Sequence, residues 1–161
     1  MKNTEFRELI RDIVTTREFR AMREYRHHIK GSVYDHSVKV AYLCYLHYKR
    51  HGGPGELREL VRGALLHDFY LYDWHDRLPG HRLHLFTHPQ EALRNAKRHY
   101  PDLTPRETDM IRNHMFPITP HTLPRTAAGW LICFYDKVAA LSDYFGEDKW
   151  SRRHPRPEKT H

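Results

Sequence analysis

The sequence predicts a single all-α domain. Three observations favour it: apolar residues recur at helical spacing in most segments, capping signals precede several of these segments, and no segment shows the alternation typical of strands. A chain of 161 residues has the size of one domain and can bury a substantial core. We expect residues 1–145 to form the helical domain and residues 146–161 to form a charged, flexible C-terminal tail.

The N-terminal part of the chain predicts two short helices. Apolar residues spaced by three and four positions over 6–14 are typical of an amphipathic helix. Thr15 followed by Glu18 indicates a capping box, which would open a second helix ending near Tyr25.

Two longer helices are predicted next. Ser32 with Asp35 indicates a cap, and the pattern continues as a helix from Val33 to about Tyr48. After the glycine-rich turn at 52–55, the apolar positions of Leu57–Leu66 line one face of another helix.

The second half of the chain begins with an irregular stretch over 69–87, rich in aromatic, histidine and arginine residues, which is either a loop covering a site or a set of short helical turns. Pro89 suits the first position of a helix that runs to about Tyr100. The sequence Thr-Pro-Arg-Glu at 104–107 combines a capping box with proline at the first helical position, and predicts a helix ending near His114. After a proline-rich loop, the most apolar helix spans about 126–144 and should be central.

Composition narrows the class of protein. The net charge is +7 and the pI is about 9.5, which suits an anionic ligand, while the mean hydropathy is −0.82. An aromatic content of 12% argues against disorder. Two cysteines, no signal-peptide core and no apolar run of about 18 residues predict a cytoplasmic protein without disulfides or a membrane span. No basic-aromatic motif of a nucleic-acid module is present, so nucleic acid is not an expected partner.

The adjacent residues His67 and Asp68 close the apolar run of the fourth helix. A desolvated carboxylate is costly unless it is paired or holds a metal. Asp136 is a second acid within an apolar helix, and single histidines stand near or inside other predicted helices at His36, His88 and His114. Each residue alone is better explained by an ion pair or by ordinary packing. Their recurrence, one nitrogen or oxygen donor per segment, predicts a shared metal site.

Three motifs resemble those of the HD-domain metal-dependent phosphohydrolases. Tyr34–Ala41 (YDHSVKVA) looks like the first motif of that family, Leu65–Asp68 (LLHD) like the second, and Tyr135–Leu141 (YDKVAAL) like the last. The resemblance covers about residues 30–145. It implies an HD-type helical bundle with a metal site in its core.

A subset of this family carries two additional histidines and binds two metals, and His88 and His114 stand where those should be. The resemblance then implies that His36, His67, Asp68 and Asp136 hold one ion. Asp68 would bridge to a second ion bound by His88 and His114. His67 and Asp68 would be the catalytic pair, and a metal-bridging hydroxide would attack a phosphate ester or anhydride of a small nucleotide or related metabolite.

The ligand set contains nitrogen and oxygen atoms only, so we expect divalent ions, two of them, with iron or manganese favoured and zinc, nickel or cobalt also compatible. Basic side chains near the motifs are candidates for binding substrate phosphate. They are Lys39, Arg77, His81, Arg82, His84 and Lys137. Seven further histidines are assigned to the surface: His27, His28, His47, His51, His99, His154 and His161.

Two alternatives stay open. One is a mononuclear enzyme resembling 5'-nucleotidases, in which His88 and His114 contact substrate. The other is a non-catalytic HD module that binds or senses a nucleotide. The substrate and the oligomeric state, with a homodimer among the options, are not determined by the sequence.

Overall fold

The computed structural model describes residues 3–27, 31–76 and 83–145. Within these ranges the chain forms seven α-helices, a 3-10 turn at Trp74–Asp76 and an isolated bridge between Arg26 and Ser32, with no β-strand. The prediction of a single all-α domain is confirmed. The expected tail over 146–161 lies outside the described residues. The helices are α1 Thr4–Val14, α2 Arg17–Ala21, α3 Val33–His51, α4 Leu57–Leu66, α5 His84–His99, α6 Pro105–Asn113 and α7 Ala127–Phe145.

Four helices form the centre of the fold. α3 packs on α4, α4 on α6, α6 on α7, and α7 on α3, so the four close a ring around a common core. α5 packs against α6, α1 against α4 and α2 against α3. The core holds large side chains that are fully buried, such as Phe6, Phe19, Tyr45, Leu60 and Ile132. Burial of such apolar surface is the main term that stabilises the ring.

The ends of several helices follow the capping signals of the sequence. Ser32 with Asp35 and Thr104 with Glu107 form capping boxes in which both reciprocal bonds are present. The bounds predicted for α4 are also confirmed. The capping residue of α2 is Thr16 rather than Thr15, because the Thr15 hydroxyl donates to the Arg11 carbonyl at the end of α1. The second helix is also shorter than predicted and ends at Ala21.

The prediction that Pro89 begins a helix is wrong. α5 starts at His84, so Pro89 lies inside it, buried, and takes one backbone N–H donor out of the helix. Proline is tolerated because its fixed φ is that of a helix, and the cost is one lost backbone bond and local crowding. The earlier start places His84 and His88 one turn apart on the same face of α5, facing the core.

α7 is less enclosed than its composition predicts. It contributes Ala128, Ile132 and Ala139 to the core, but the described residues leave an apolar row on its outer side exposed. A helix in a four-membered ring packs with two neighbours and keeps an outward face, which explains the difference. The exposed row consists of Trp130, Phe134, Leu141 and Tyr144. Among the described helices, none is both long enough and apolar enough to cross a membrane.

Candidate metal centre

The carboxylate of Asp68, just past the end of α4, lies at the centre of a buried polar cluster. Its Oδ1 is 3.2 Å from Nε2 of His88 and 3.3 Å from Nε2 of His114. Its Oδ2 is 3.5 Å from Nε2 of His67 and 3.9 Å from Nε2 of His36. The two carboxylate oxygens therefore face different sets of imidazoles.

Asp136 completes the cluster from α7. Its Oδ1 lies 3.0 Å from Nε2 of His36 and 3.7 Å from Nε2 of His67. The structure thus brings together all six side chains that the sequence suggested as metal ligands, and none is more than 8% exposed. They come from five different helices or helix ends, and Asp68 stands between the two groups.

The backbone orients three of the histidine rings. His67 and His114 occupy the positions that end α4 and α6, where the last carbonyls of a helix have no partner within it. Their Nδ1 atoms lie 2.8 Å from the Ala64 carbonyl oxygen and 2.9 Å from that of Ile111. His88 makes the same kind of bond, with its Nδ1 2.9 Å from a carbonyl oxygen one turn earlier in α5. These bonds assign the ring proton to Nδ1, so the lone pair of each Nε2 points into the cluster.

This orientation creates a local repulsion. Nε2 of His88 and Nε2 of His114 are 2.9 Å apart, and both are acceptors when both Nδ1 atoms carry the proton. Burial lowers the pKa of His114 to about 4, despite the nearby Asp68 carboxylate, so its ring is neutral at neutral pH. Nε2 of His67 and Oδ1 of Asp68 make no hydrogen bond with the described part of the chain. A cation between these atoms would satisfy all of them, and the donor set fits a divalent ion.

Both acids remain charged. Burial alone would raise the pKa of Asp68, but the imidazoles that surround it, those of His67, His114, His27 and His88, hold it well below its ordinary value. Burial likewise opposes ionisation of Asp136, and its hydrogen bond with His36 and the proximity of His67 keep its pKa well below the ordinary range. Two buried carboxylates in close proximity are expensive without positive charge among them.

His36 is supported by a residue that the sequence analysis missed. Its Nδ1 lies 3.7 Å from Oδ2 of Asp143, seven positions after Asp136 on α7. The spacing of two helical turns was the available signal, because it places both acids on one side of the helix. Burial lowers the pKa of His36, but its hydrogen bond with Asp136 and the nearby carboxylate of Asp143 outweigh this and raise the pKa to about 9.

His27 is the second missed residue, and its assignment to the surface is wrong. It is 5% exposed, its Nε2 lies 3.3 Å from Oδ2 of Asp68, and its ring stacks on His36 with centroids 3.7 Å apart. Two backbone hydrogen bonds join residues 25–27 to residues 31–33: His27 N–H donates to the Gly31 carbonyl and Val33 N–H to the Tyr25 carbonyl. His27 lies outside any helical pattern, so the sequence carries no periodic signal for its burial.

The residues predicted to bind phosphate have different surroundings. His84 and Lys137 line a cavity of about 100 Å³ beside the cluster. His84 lies 2.8 Å from the Tyr72 hydroxyl, while the Lys137 amino group donates to the His114 carbonyl and to Asp136. The amino group of Lys39 instead contacts Asp143 and Ser142, each at 2.5 Å. Arg77, His81 and Arg82 lie outside the described residues.

In the part of the chain that the structure describes, three overlapping groups of side chains bring their ligand atoms within 4.8 Å of one another. Two of them belong to the six-residue set: His36, His67 and Asp136, and His67, Asp68 and His114. The third joins His27, His36 and Asp143. The buried histidine and aspartate groups could therefore hold a metal ion.

Comparison of the chain with protein-family models, with curated proteins and with solved structures found no match. The character of the centre therefore rests on the sequence motifs and on the geometry of this chain.

Proposed function

We propose that the protein is a metal-dependent phosphohydrolase of the HD-domain type, acting on an ester or anhydride of a small nucleotide or related metabolite. One observation carries the proposal: the two oxygens of Asp68 face two separate groups of ligand atoms. His36, His67, Asp68 and Asp136 would hold one divalent ion. Asp68, His88 and His114 would hold the second.

Divalent ions at this position would lower the pKa of a water molecule and neutralise negative charge on a phosphoryl group. The chain itself would supply ligand side chains held in place and a positive charge that binds the substrate. Backbone bonds hold the rings of His67, His88 and His114, and all six ligand side chains are buried, so that little reorganisation is needed. Lys137 brings a positive charge to the cavity and would bind a phosphate oxygen.

Tyr70 is the second group suited to contact substrate. It lines the cavity and is buried, and burial together with the charge of Asp68 raises the pKa of its hydroxyl well above the ordinary value. The hydroxyl therefore stays protonated at neutral pH. Its role would be to donate a hydrogen bond to an oxygen of the substrate, not to act as a base.

The size of the cavity favours a small reacting group. A volume of about 100 Å³ equals the liquid volume of roughly three water molecules. Sites that enclose a whole drug-sized ligand usually measure about 300–1,000 Å³. The cavity is therefore suited to one phosphoryl group, with the rest of the substrate outside it.

The choice of metal follows from the ligand atoms. Nitrogen and carboxylate oxygen donors suit several first-row divalent ions, and thiolates, which favour zinc, copper or iron–sulfur clusters, are not part of the set. We favour iron or manganese, and zinc, nickel and cobalt have compatible chemistry.

The first prediction concerns metal content and turnover. Elemental analysis of the purified protein should find about two metal ions per chain, and a screen of nucleotides and simple phosphate esters should find hydrolysis. Asp68→Asn removes the charge shared by both ligand groups, so it should abolish hydrolysis and lower the metal content sharply. His51→Ala is the matched control, because it removes an exposed imidazole remote in sequence from the six ligands and should change neither quantity.

Other outcomes select among the alternatives. One ion per chain, unchanged in His88→Ala, would favour the mononuclear nucleotidase in which His88 and His114 contact substrate. A negative screen in which a nucleotide still raises the melting temperature would favour a binding module without catalysis. Full hydrolysis by Asp68→Asn would exclude the proposed mechanism.

A further inference from the structure

We propose that His27 is a positioning residue of the metal centre, which holds the Asp68 carboxylate in the orientation that lets its two oxygens serve two ions. The inference rests on the proposed function, since it assigns a role within the same centre. It concerns a side chain outside the three motifs.

The contact is specific to one oxygen. Nε2 of His27 lies 3.3 Å from Oδ2 of Asp68, the oxygen that faces His67 and His36. A carboxylate oxygen has two lone pairs, so it can serve an ion with one and accept an N–H with the other. A hydrogen bond from Nε2–H of His27 would fix the rotation of the carboxylate about its Cβ–Cγ bond. That rotation decides whether Oδ1 also points at His88 and His114.

His27 is poorly placed to be a ligand of the same ion as His36. The two rings are stacked, with centroids 3.7 Å apart and an angle of 16° between their planes. The lone pair of an imidazole nitrogen lies in the plane of its ring. An ion in the plane of the His36 ring would therefore lie well outside the plane of the His27 ring, so His27 would act through Asp68.

A separate ion bound by His27, His36 and Asp143 is also disfavoured, although their ligand atoms lie within 4.8 Å of one another. The amino group of Lys39 lies 2.5 Å from Oδ1 of Asp143 and already neutralises it. His36 would in addition have to use both ring nitrogens for metals, which requires loss of its second ring proton.

The position of His27 is well defined. The ring is 5% exposed, rests on His36, and is held by the backbone bond from His27 N–H to the Gly31 carbonyl. A side chain fixed in this way has little rotamer freedom left to lose when it bonds to Asp68. Residues that orient the ligands of a metal typically change metal affinity by 10- to 100-fold when removed.

The test compares two variants of similar volume. His27→Leu keeps apolar packing against His36 but removes the donor, while the amide N–H₂ of His27→Gln can replace Nε2–H. Dissociation constants for Mn²⁺ are measured by calorimetry on full-length wild type and on both variants after chelation and buffer exchange. His51→Ala serves as the control for loss of one imidazole, and thermal melts of the metal-free proteins establish that each variant is folded.

We expect His27→Leu to weaken the tightest Mn²⁺ site by 10- to 100-fold. His27→Gln should stay within about threefold of wild type, and His51→Ala should match wild type. Leu and Gln fill the space of His27 about equally well, but only Gln can donate a hydrogen bond. Mn²⁺ affinity that is retained in His27→Gln and lost in His27→Leu therefore shows that the hydrogen bond matters and not the packing alone.

Two results would overturn the inference while leaving the proposed function intact: Mn²⁺ affinity of His27→Leu equal to that of wild type, or equal weakening in the Leu and Gln variants. Failure of the wild type to bind any divalent ion would remove the proposed function and this inference together. The two kinds of failure are thus distinguishable.

Discussion

His36 carries a proton at neutral pH when no metal is bound. Burial opposes this, but the carboxylates of Asp136 and Asp143 raise its pKa to about 9. A divalent ion that takes Nε2 as a ligand must displace this proton. At the same pH the His114 ring is neutral, because burial lowers its pKa to about 4, so its Nε2 carries no proton that a metal would have to displace.

The second prediction follows from the His36 proton. Between pH 7 and 9, affinity for the ion held by His36 should rise about tenfold per pH unit, because one proton is released on binding. Above pH 9 this dependence should disappear. Calorimetry in two buffers of different ionisation enthalpy, at pH 7.5, should show about one proton released for this ion, and release near zero would contradict the assignment.

The same shift affects the stability of the metal-free protein. A histidine whose pKa is raised on folding contributes stability that is fully present below its unfolded value of 6.5 and is lost as the pH rises through about 9. The contribution of His36 should amount to on the order of 3 kcal/mol. The free energy of unfolding of the metal-free protein should therefore fall across this window, and saturating metal should remove the decline.

At the scale of the helices, the position of α7 depends on a buried acid from α6. The carboxylate of Asp109 accepts bonds from the backbone N–H groups of Arg125 at 3.0 Å and Thr126 at 2.9 Å, and from the Thr126 hydroxyl at 2.6 Å. A Cβ on Gly129 would lie 2.5 Å from Oδ2 of this acid, so the close approach requires glycine. Asp109 thus fixes the two residues before α7, including Thr126, whose hydroxyl accepts a bond from the Gly129 N–H in the first turn of the helix that carries Asp136.

The third prediction concerns Asp109. Asp109→Ala leaves the partly buried donors of Arg125 and Thr126 without this acceptor and should lower the free energy of unfolding by about 2–3 kcal/mol. Asp102→Ala is the control, since Asp102 is an exposed partner of Arg62 and its loss should cost less than about 1 kcal/mol. Urea denaturation measures both, and equal effects of the two substitutions would show that Asp109 does not hold α7.

At the scale of the whole molecule, the candidate centre is where five helices meet. The six ligand side chains come from α3, from α5, from α7, and from the ends of α4 and α6. Without positive charge the centre holds two buried carboxylates close together, which disfavours the folded state. A divalent ion would remove this penalty and connect the four helices of the ring.

The fourth prediction is a large stabilisation by metal. An ion at 100 times its dissociation constant should stabilise the folded state by about 2.7 kcal/mol per site, provided that it does not bind the unfolded chain. For a protein of this length the melting temperature should rise by roughly 5–10 °C for each site that is filled. Asp68→Asn should lose this gain and His51→Ala should keep it. If metal raised the melting temperature of Asp68→Asn as much as that of wild type, the ion would bind at another site.

Much of the fold follows from local sequence. The bounds of α4, the capping boxes at Ser32 and Thr104, and the all-α class depend on helical spacing and on side chains that bond within one turn. The start of α5 was not predictable in this way, because Pro89 suits the first turn and only the packing of His84 and His88 favours an earlier start. The exposed row on α7 likewise depends on which neighbours the helix acquires.

The sequence alone determined a helical chain with six histidine and aspartate residues at helix ends and on buried faces, since these features depend on periodicity and on neighbours a few positions away. Only the tertiary structure decided that Asp68 stands between two groups of ligand atoms, that His27 stacks on His36, and that Asp143 supports the same ring. The physical reason is that these contacts join residues far apart in the chain. Their distances are set by how the helices pack, and no local pattern encodes that.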